Sequence, residues 1–271
     1  MWTPGPIRAQ QVDASRRSRA AGERALVLGG GGSAGSAREI GVIAGLFDAG
    51  LDVTEADLII GTSTGSTAAA QITSATQPTE LLANILAVAP QSRTGPVGAD
   101  RGRAPNLPAA DLLEKTSEII RVAEDAADMR RRMGAAALEM DAVSGSSGQT
   151  QRRATVAARL PGQRWPQRPM LIVAVDAHTG APIVFDRHSG VDLVDAVTAS
   201  CAGPGGPPHS IGDSRHIDAA TDPARMSIWQ PDTSGCWCCH HSVADHGRRW
   251  IGACTLQHRS TNYAHAAAES K

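Results

Sequence analysis

The chain has 271 residues, of which 41% are hydrophobic and only 3% aromatic, and its formal net charge is −1. That balance excludes an electrostatic case for nucleic-acid binding and implies a core built from Ala, Val, Leu and Ile. No apolar run reaches the roughly 18 residues of a membrane span.

Residues 1–23 contain no apolar segment of the kind found in a secretory signal, and they read as a disordered lead-in to a cytosolic protein. Residues 25–29, ALVLG, form a short apolar run ending in glycine, the pattern of a buried strand. Gly29 to Gly32 then lead into SAREIGVIAGLFDAGL, where Ile40, Ile43, Ala44 and Phe47 share a helical face and Gly50 is a stop. A second strand, 57–60, runs directly into Gly61-Thr62-Ser63-Thr64-Gly65 and a small-residue helix. Strand–loop–helix–strand–turn–helix is the repeating unit of a parallel sheet covered by helices.

Another helix opens at Gln77 or Thr79. Residues 90–108 are rich in Pro, Gly and Arg and read as a loop. Residues 109–141 read as helical, with Leu112, Leu113, Ile119 and Ile120 as apolar positions, and 143–168 as a second mobile insertion. Order returns in a hairpin, 170–175 with 182–185, turning through Asp176 to Gly180. A helix over 190–202 and short strand pieces around Ile211 to Asp218 follow.

Gly61-Thr62-Ser63-Thr64-Gly65 matches the G-x-S-x-G nucleophile elbow. In that turn the serine sits between strand and helix, and the glycines let backbones pass closely. The bland alternative is a serine capping a helix. Gly30, Gly32 and Gly35 also fit the dinucleotide pattern G-x-G-x-x-G, but the second strand ends without the acidic residue that would hold a ribose. Consecutive glycine amides beside a serine nucleophile suit an oxyanion hole better. Among the nine histidines, His178, His188, His209 and His216 lie near turns and read as surface or turn residues rather than as members of a triad. Asp176 reads as a turn stabiliser.

Together, the glycine-rich strand–loop–helix and the following elbow resemble the patatin-like phospholipases. The resemblance implies a three-layer α/β/α fold with a mainly parallel sheet. It also implies a serine lipid acyl hydrolase that needs no cofactor or metal and acts on a lipid or ester, at most peripherally at a membrane surface. Carried over by position, Ser63 is the nucleophile and Asp218 the base. Gly30, Gly31 and Gly32 form the oxyanion loop, and Gly61 and Gly65 are the elbow glycines. LVDAVTASCAGPG also resembles the family's approach to that aspartate. Two departures stand out: Ala34 replaces the usual Arg or Lys, and Ala219 replaces the glycine after the aspartate, which implies strain beside the base.

The hydrolase domain is expected over 24–221, and 222–271 reads as an irregular, non-native tail. Four of the five cysteines fall there, among them Cys236, Cys238 and Cys239 beside His240 and His241. Adjacent ligands cannot all converge on one tetrahedral ion. Reading the tail one base out of register forces Ala at Trp229–Gln230. It also forces Leu, Val and Leu across Cys236 to Cys239. With permitted third bases, 227–242 becomes DLATGYVRVLVLSPL, a helix end followed by a buried strand. The tail is therefore read as the product of a frameshift, with an inactive remnant of the enzyme as the alternative function and a Gly-loop nucleotide-binding protein as a further one.

Overall fold

The computed structural model describes residues 24–87, 109–143, 147–203, 206–219, 235–239 and 255–258. The lead-in 1–23 and the 90–108 loop lie outside the described residues. β1 (Arg24–Leu28) passes through the glycine loop into α1 (Gly32–Asp48). α1 buries Ile40, Ile43 and Ala44, with Phe47 half-buried, and ends as expected before Gly50 at φ 84°. β2 (Leu58–Thr62) turns at Ser63 into α2 (Thr64–Ile72), and α3 (Pro78–Ala87) follows.

The expected 109–141 helix is two helices, α4 (Ala109–Val122) and α5 (Ala126–Val143). They part where Asp125 accepts the Asp128 amide and Asp128 accepts the Glu124 amide. These short side-chain caps favour starting a new helix over continuing the old one. The mobile insertion expected over 143–168 is corrected as well. Within it, α6 (Ser147–Ala157) is docked by Arg153 on Asp195 and by Gln149 on Ser210, and Trp165 donates to the Val191 carbonyl. Its polar composition misled because these polar anchors and one buried apolar residue, Val156, hold it, rather than a full apolar stripe.

β3 (Met170–Asp176) and β4 (Pro182–Phe185) form the expected hairpin. Asp176 accepts the amides of His178 and Thr179 across the turn. α7 (Leu193–Ser200), β5 (His209–Ile211) and β6 (Ser214–Asp218) complete the approach to Asp218. α5 packs on the end of β3 so closely that a Cβ on Gly134 would meet the Ala177 carbonyl oxygen at 2.1 Å.

The sheet is α/β in character, with β3, β2, β1 and β7 parallel neighbours and antiparallel strands at the flanks. Alternation of side chains gives it two apolar faces. Leu26, Leu28, Ile59 and Ile172 pack with α1, α2, α3 and α7 on one. Val175 and Ile217 pack with Met129 and Met133 of α5 on the other.

The irregular tail expected over 222–271 is corrected at two segments. β7 (Gly235–Cys239) pairs in parallel with β1, from Arg24↔Gly235 to Leu28↔Cys239, and β8 (Thr255–His258) pairs antiparallel with β7. An open edge of β1 offers unpaired backbone groups that any extended segment can satisfy, whatever its side chains.

Candidate active site

The register of β3 explains how two residues separated by 155 positions meet. β4 pairs with 172–175 of β3, so β2, paired with 170–173, and β6, paired with 174–176, both lie on the opposite side of β3. There β2 and β6 run head-on. Thr62 stands opposite Val173, and Asp218 stands opposite the next residue, Ala174. The residue leaving β2 is Ser63, so the C-terminal ends of the two strands abut with Ser63 and Asp218 at the junction.

Ser63 Oγ donates to Asp218 Oδ2 at 2.5 Å, and both side chains are buried. Ser63 has φ 53°, the one positive value among non-glycines of the described residues. A conformation of this kind costs about 1–3 kcal/mol and persists only when its surroundings over-determine it. Here they do. The Ser63 amide donates to Ser200 Oγ at 2.8 Å, and Ser200 Oγ donates to the Val173 carbonyl. The Ser63 carbonyl accepts from the Ser66 amide, the Ser66 hydroxyl and the Cys201 thiol. Burial, reinforced by nearby Asp218, pushes the Cys201 thiol up to about 12, so it stays a proton donor. Although Ser63 occupies the N-cap position of α2, its side chain makes no capping hydrogen bond. The hydroxyl is committed to Asp218 instead, which sets aside the reading of a simple capping serine.

The elbow glycines are required by space. A Cβ on Gly65 would lie 2.3 Å from the Leu28 carbonyl oxygen and 2.4 Å from that of Gly29, and one on Gly61 would lie 2.6 Å from Ser66 Cα. Close passage at Gly65 sets the glycine loop against the elbow. Gly31 at φ 151° caps α1 and Gly32 at φ 64° begins it, conformations that suit glycine. Gly30 lies inside the same turn, its carbonyl oxygen 3.4 Å from where a Gly35 Cβ would sit.

Two expectations change at this site. Ala219 does not have positive φ, and its methyl packs beside the apolar clusters, so the alanine causes no strain after Asp218. His209 and His216 are buried strand residues, not surface ones. His209 Nε2 faces Asp195 at 3.0 Å, and His216 stacks edge-on against Phe185. His178 and His188 are exposed.

A model of the patatin-like phospholipase family matches residues 26–224, well over half of the chain. The chain belongs to that family. The match runs from β1 past Asp218, so it encloses the glycine loop, the elbow and the aspartate. A comparison with curated proteins finds no match. Among solved structures, the crystal structure of type III effector protein ExoU is similar at 18% identity and a TM-score of 0.32. The similarity covers 67% of this chain and 40% of that one, so this chain spans under half of that effector.

Sequence reasoning missed Ser200, Cys201 and Glu39. Glu39 is buried on α1 and accepts the Gly29 amide at 2.7 Å. A carboxyl on the apolar face of a helix is a visible signal, because such a group is seldom buried without a partner. Ser200 and Cys201 lie in the stretch that resembles the family, but nothing in their spacing separates them from ordinary helix residues.

Proposed function

We propose that this patatin-like protein is a serine acyl hydrolase of lipid or ester substrates, with Ser63 as nucleophile and Asp218 as base. The observation that carries this is the Ser63–Asp218 hydrogen bond at an elbow of positive φ. Asp218 takes the hydroxyl proton as Ser63 Oγ attacks the ester carbonyl, and returns it to the leaving alcohol as the tetrahedral intermediate collapses to an acyl-enzyme. Water then attacks the acyl-enzyme by the same route and frees Ser63. The amides of Gly30, Gly31 and Gly32 and the N-terminus of α2 stabilise the oxyanion. Ala34, exposed in the first turn of α1, brings no cation to this loop. Access to lipid is at the membrane surface; among the described residues no helix is long and apolar enough to cross a membrane. A fluorophosphonate probe tests the assignment: it labels Ser63 in the native chain, and equal labelling after Ser63→Ala overturns it.

A second reading concerns the tail. We infer that 222–271 derives from a shifted reading frame and that the hydrolase domain proper spans 24–221. What supports this is position: the structure places a strand at 235–239, beside β1, over the same residues where the shifted frame reads V-L-V-L.

A further inference from the structure

We propose that Glu39 is a positioning residue for the glycine loop: it pins the Gly29 peptide so that the amides of Gly30 to Gly32 are held toward the carbonyl attacked by Ser63. The proposal rests on the reading of Ser63 and this loop given above. β1 makes its last pairs at Leu28, with Gly61 on one side and Cys239 on the other. The Gly29 amide has therefore left the sheet, and Glu39 Oε1 accepts it at 2.7 Å. The carbonyl oxygens of Leu28 and Gly29 lie hard against Gly65 of α2. The peptide is thus clamped between the two helices, by a carboxyl from α1 and by backbone contact from α2. Only Gly30 and Gly31 separate it from the start of α1 at Gly32, and Glu39 sits on that same helix. The Glu39–Gly29 bond closes a small ring of chain whose curvature it sets. The other oxygen, Glu39 Oε2, is buried with no hydrogen-bond partner among the described residues. A carboxyl kept there at such a cost, with its one hydrogen bond spent on the first loop peptide, has a clearer role in loop geometry than in core packing.

Its charge state suits the task. Burial pushes the Glu39 carboxyl up to about 8, against the pull of the Gly29 amide and the Arg38 guanidinium. Around Glu39, α2 has no titratable side chain. α3 brings only Glu80, β1 Arg24 and the 3-10 turn Val53–Glu55 only Glu55; α1 itself adds Arg38 and Asp48. The neutral acid holds Gly29 without an anion beside the loop. Ionised, it sets a negative charge next to amides that must receive a developing oxyanion, so turnover falls as pH rises past about 8.

The test compares the native chain with Glu39→Gln and Glu39→Leu, using a short-chain p-nitrophenyl ester and pH profiles of kcat and KM. Glu39→Gln, which still accepts the amide and cannot ionise, keeps kcat near neutrality and loses the alkaline fall. Glu39→Leu loses about 10- to 100-fold in kcat with KM little changed. Glycine-selective NMR gives a second readout that does not depend on turnover. The Gly29 amide shift titrates near pH 8 in the native chain and in Ser63→Ala, and not in Glu39→Gln. An active native chain whose kcat and pH profile are unchanged by both substitutions overturns the role of Glu39. So does a Gly29 amide that neither titrates nor loses exchange protection in either variant. A native chain that neither hydrolyses ester nor reacts with fluorophosphonate overturns the hydrolase reading instead, and the Gly29 titration then still decides whether the clamp exists. If Glu39→Leu does not fold, Glu39→Gln alone carries the comparison.

Discussion

Two neighbours of β1 make opposite use of sequence. β2 is apolar along its length and ends in an elbow whose every contact is specific: Gly61 and Gly65 are forced by space, and Ser63 is held by Ser200, Ser66, Cys201 and Asp218. β7, on the other side of β1, is GCWCC, with no apolar alternation, yet it occupies the parallel register through backbone pairing. The contrast teaches that strand position can be set by an open edge, whereas a strained elbow needs particular side chains and particular absences of them.

The largest expected effects fall on the β2 side. Asp218→Asn leaves the hydrogen-bonded geometry available but removes the proposed base, and kcat should drop by about three to four orders of magnitude without loss of the folded state. Circular dichroism beside ester turnover checks this; retained activity would move the base elsewhere. Gly65→Ala forces a methyl into the Leu28 and Gly29 carbonyls. Because the overlap is with backbone, it should cost several kcal/mol, against a total stability of about 5–15 kcal/mol. A variant that melts within a degree or two of the parent would show the loop and elbow to be slacker than their spacing implies.

On the β7 side the expected effect is smaller and of opposite sign. Replacing 227–242 by DLATGYVRVLVLSPL offers the same edge a Val/Leu strand in place of GCWCC, a net gain of a few buried CH2 groups at about 0.8 kcal/mol each. For a chain of this size that raises the melting temperature by about 2–4 °C per kcal/mol. Equal melting of the two chains would make the tail a genuine structural part.

The smallest effects are titrations within the elbow's own half of the sheet. Burial lowers His216 from 6.5 to about 4 despite the opposing pull of Asp176. The unfolded chain then binds the proton first, so the stability that neutral His216 contributes is present above pH 6.5 and is lost as pH falls toward 4, by about 1–3 kcal/mol. Glu39 works in reverse. Its folded value is raised from 4.5 to about 8, so its contribution is full below 4.5 and is lost as pH rises through 8. His216→Phe should flatten the acid limb of a melting-temperature profile and Glu39→Gln the alkaline limb. If neither limb moves, these two groups do not set them.

Local chemistry made much of this protein legible from its sequence. The apolar runs of β1, β2 and β3, the helical face of Ile40 and Ile43, the stop at Gly50 and the G-x-S-x-G turn depend on residues close in the chain, so their periodicity and glycines declare them. Tertiary structure decided what depends on partners far away. α6 is held by Asp195 and Ser210, which no local period announces. Glu39 matters because Gly29 lies within its reach, and Ala219 is unstrained because its backbone avoids the left-handed region. Even Ser63 and Asp218, nameable from their motifs, meet only because β2 and β6 run head-on along one side of β3. That register comes from backbone pairing between strands remote in sequence, a property that no local stretch of residues contains.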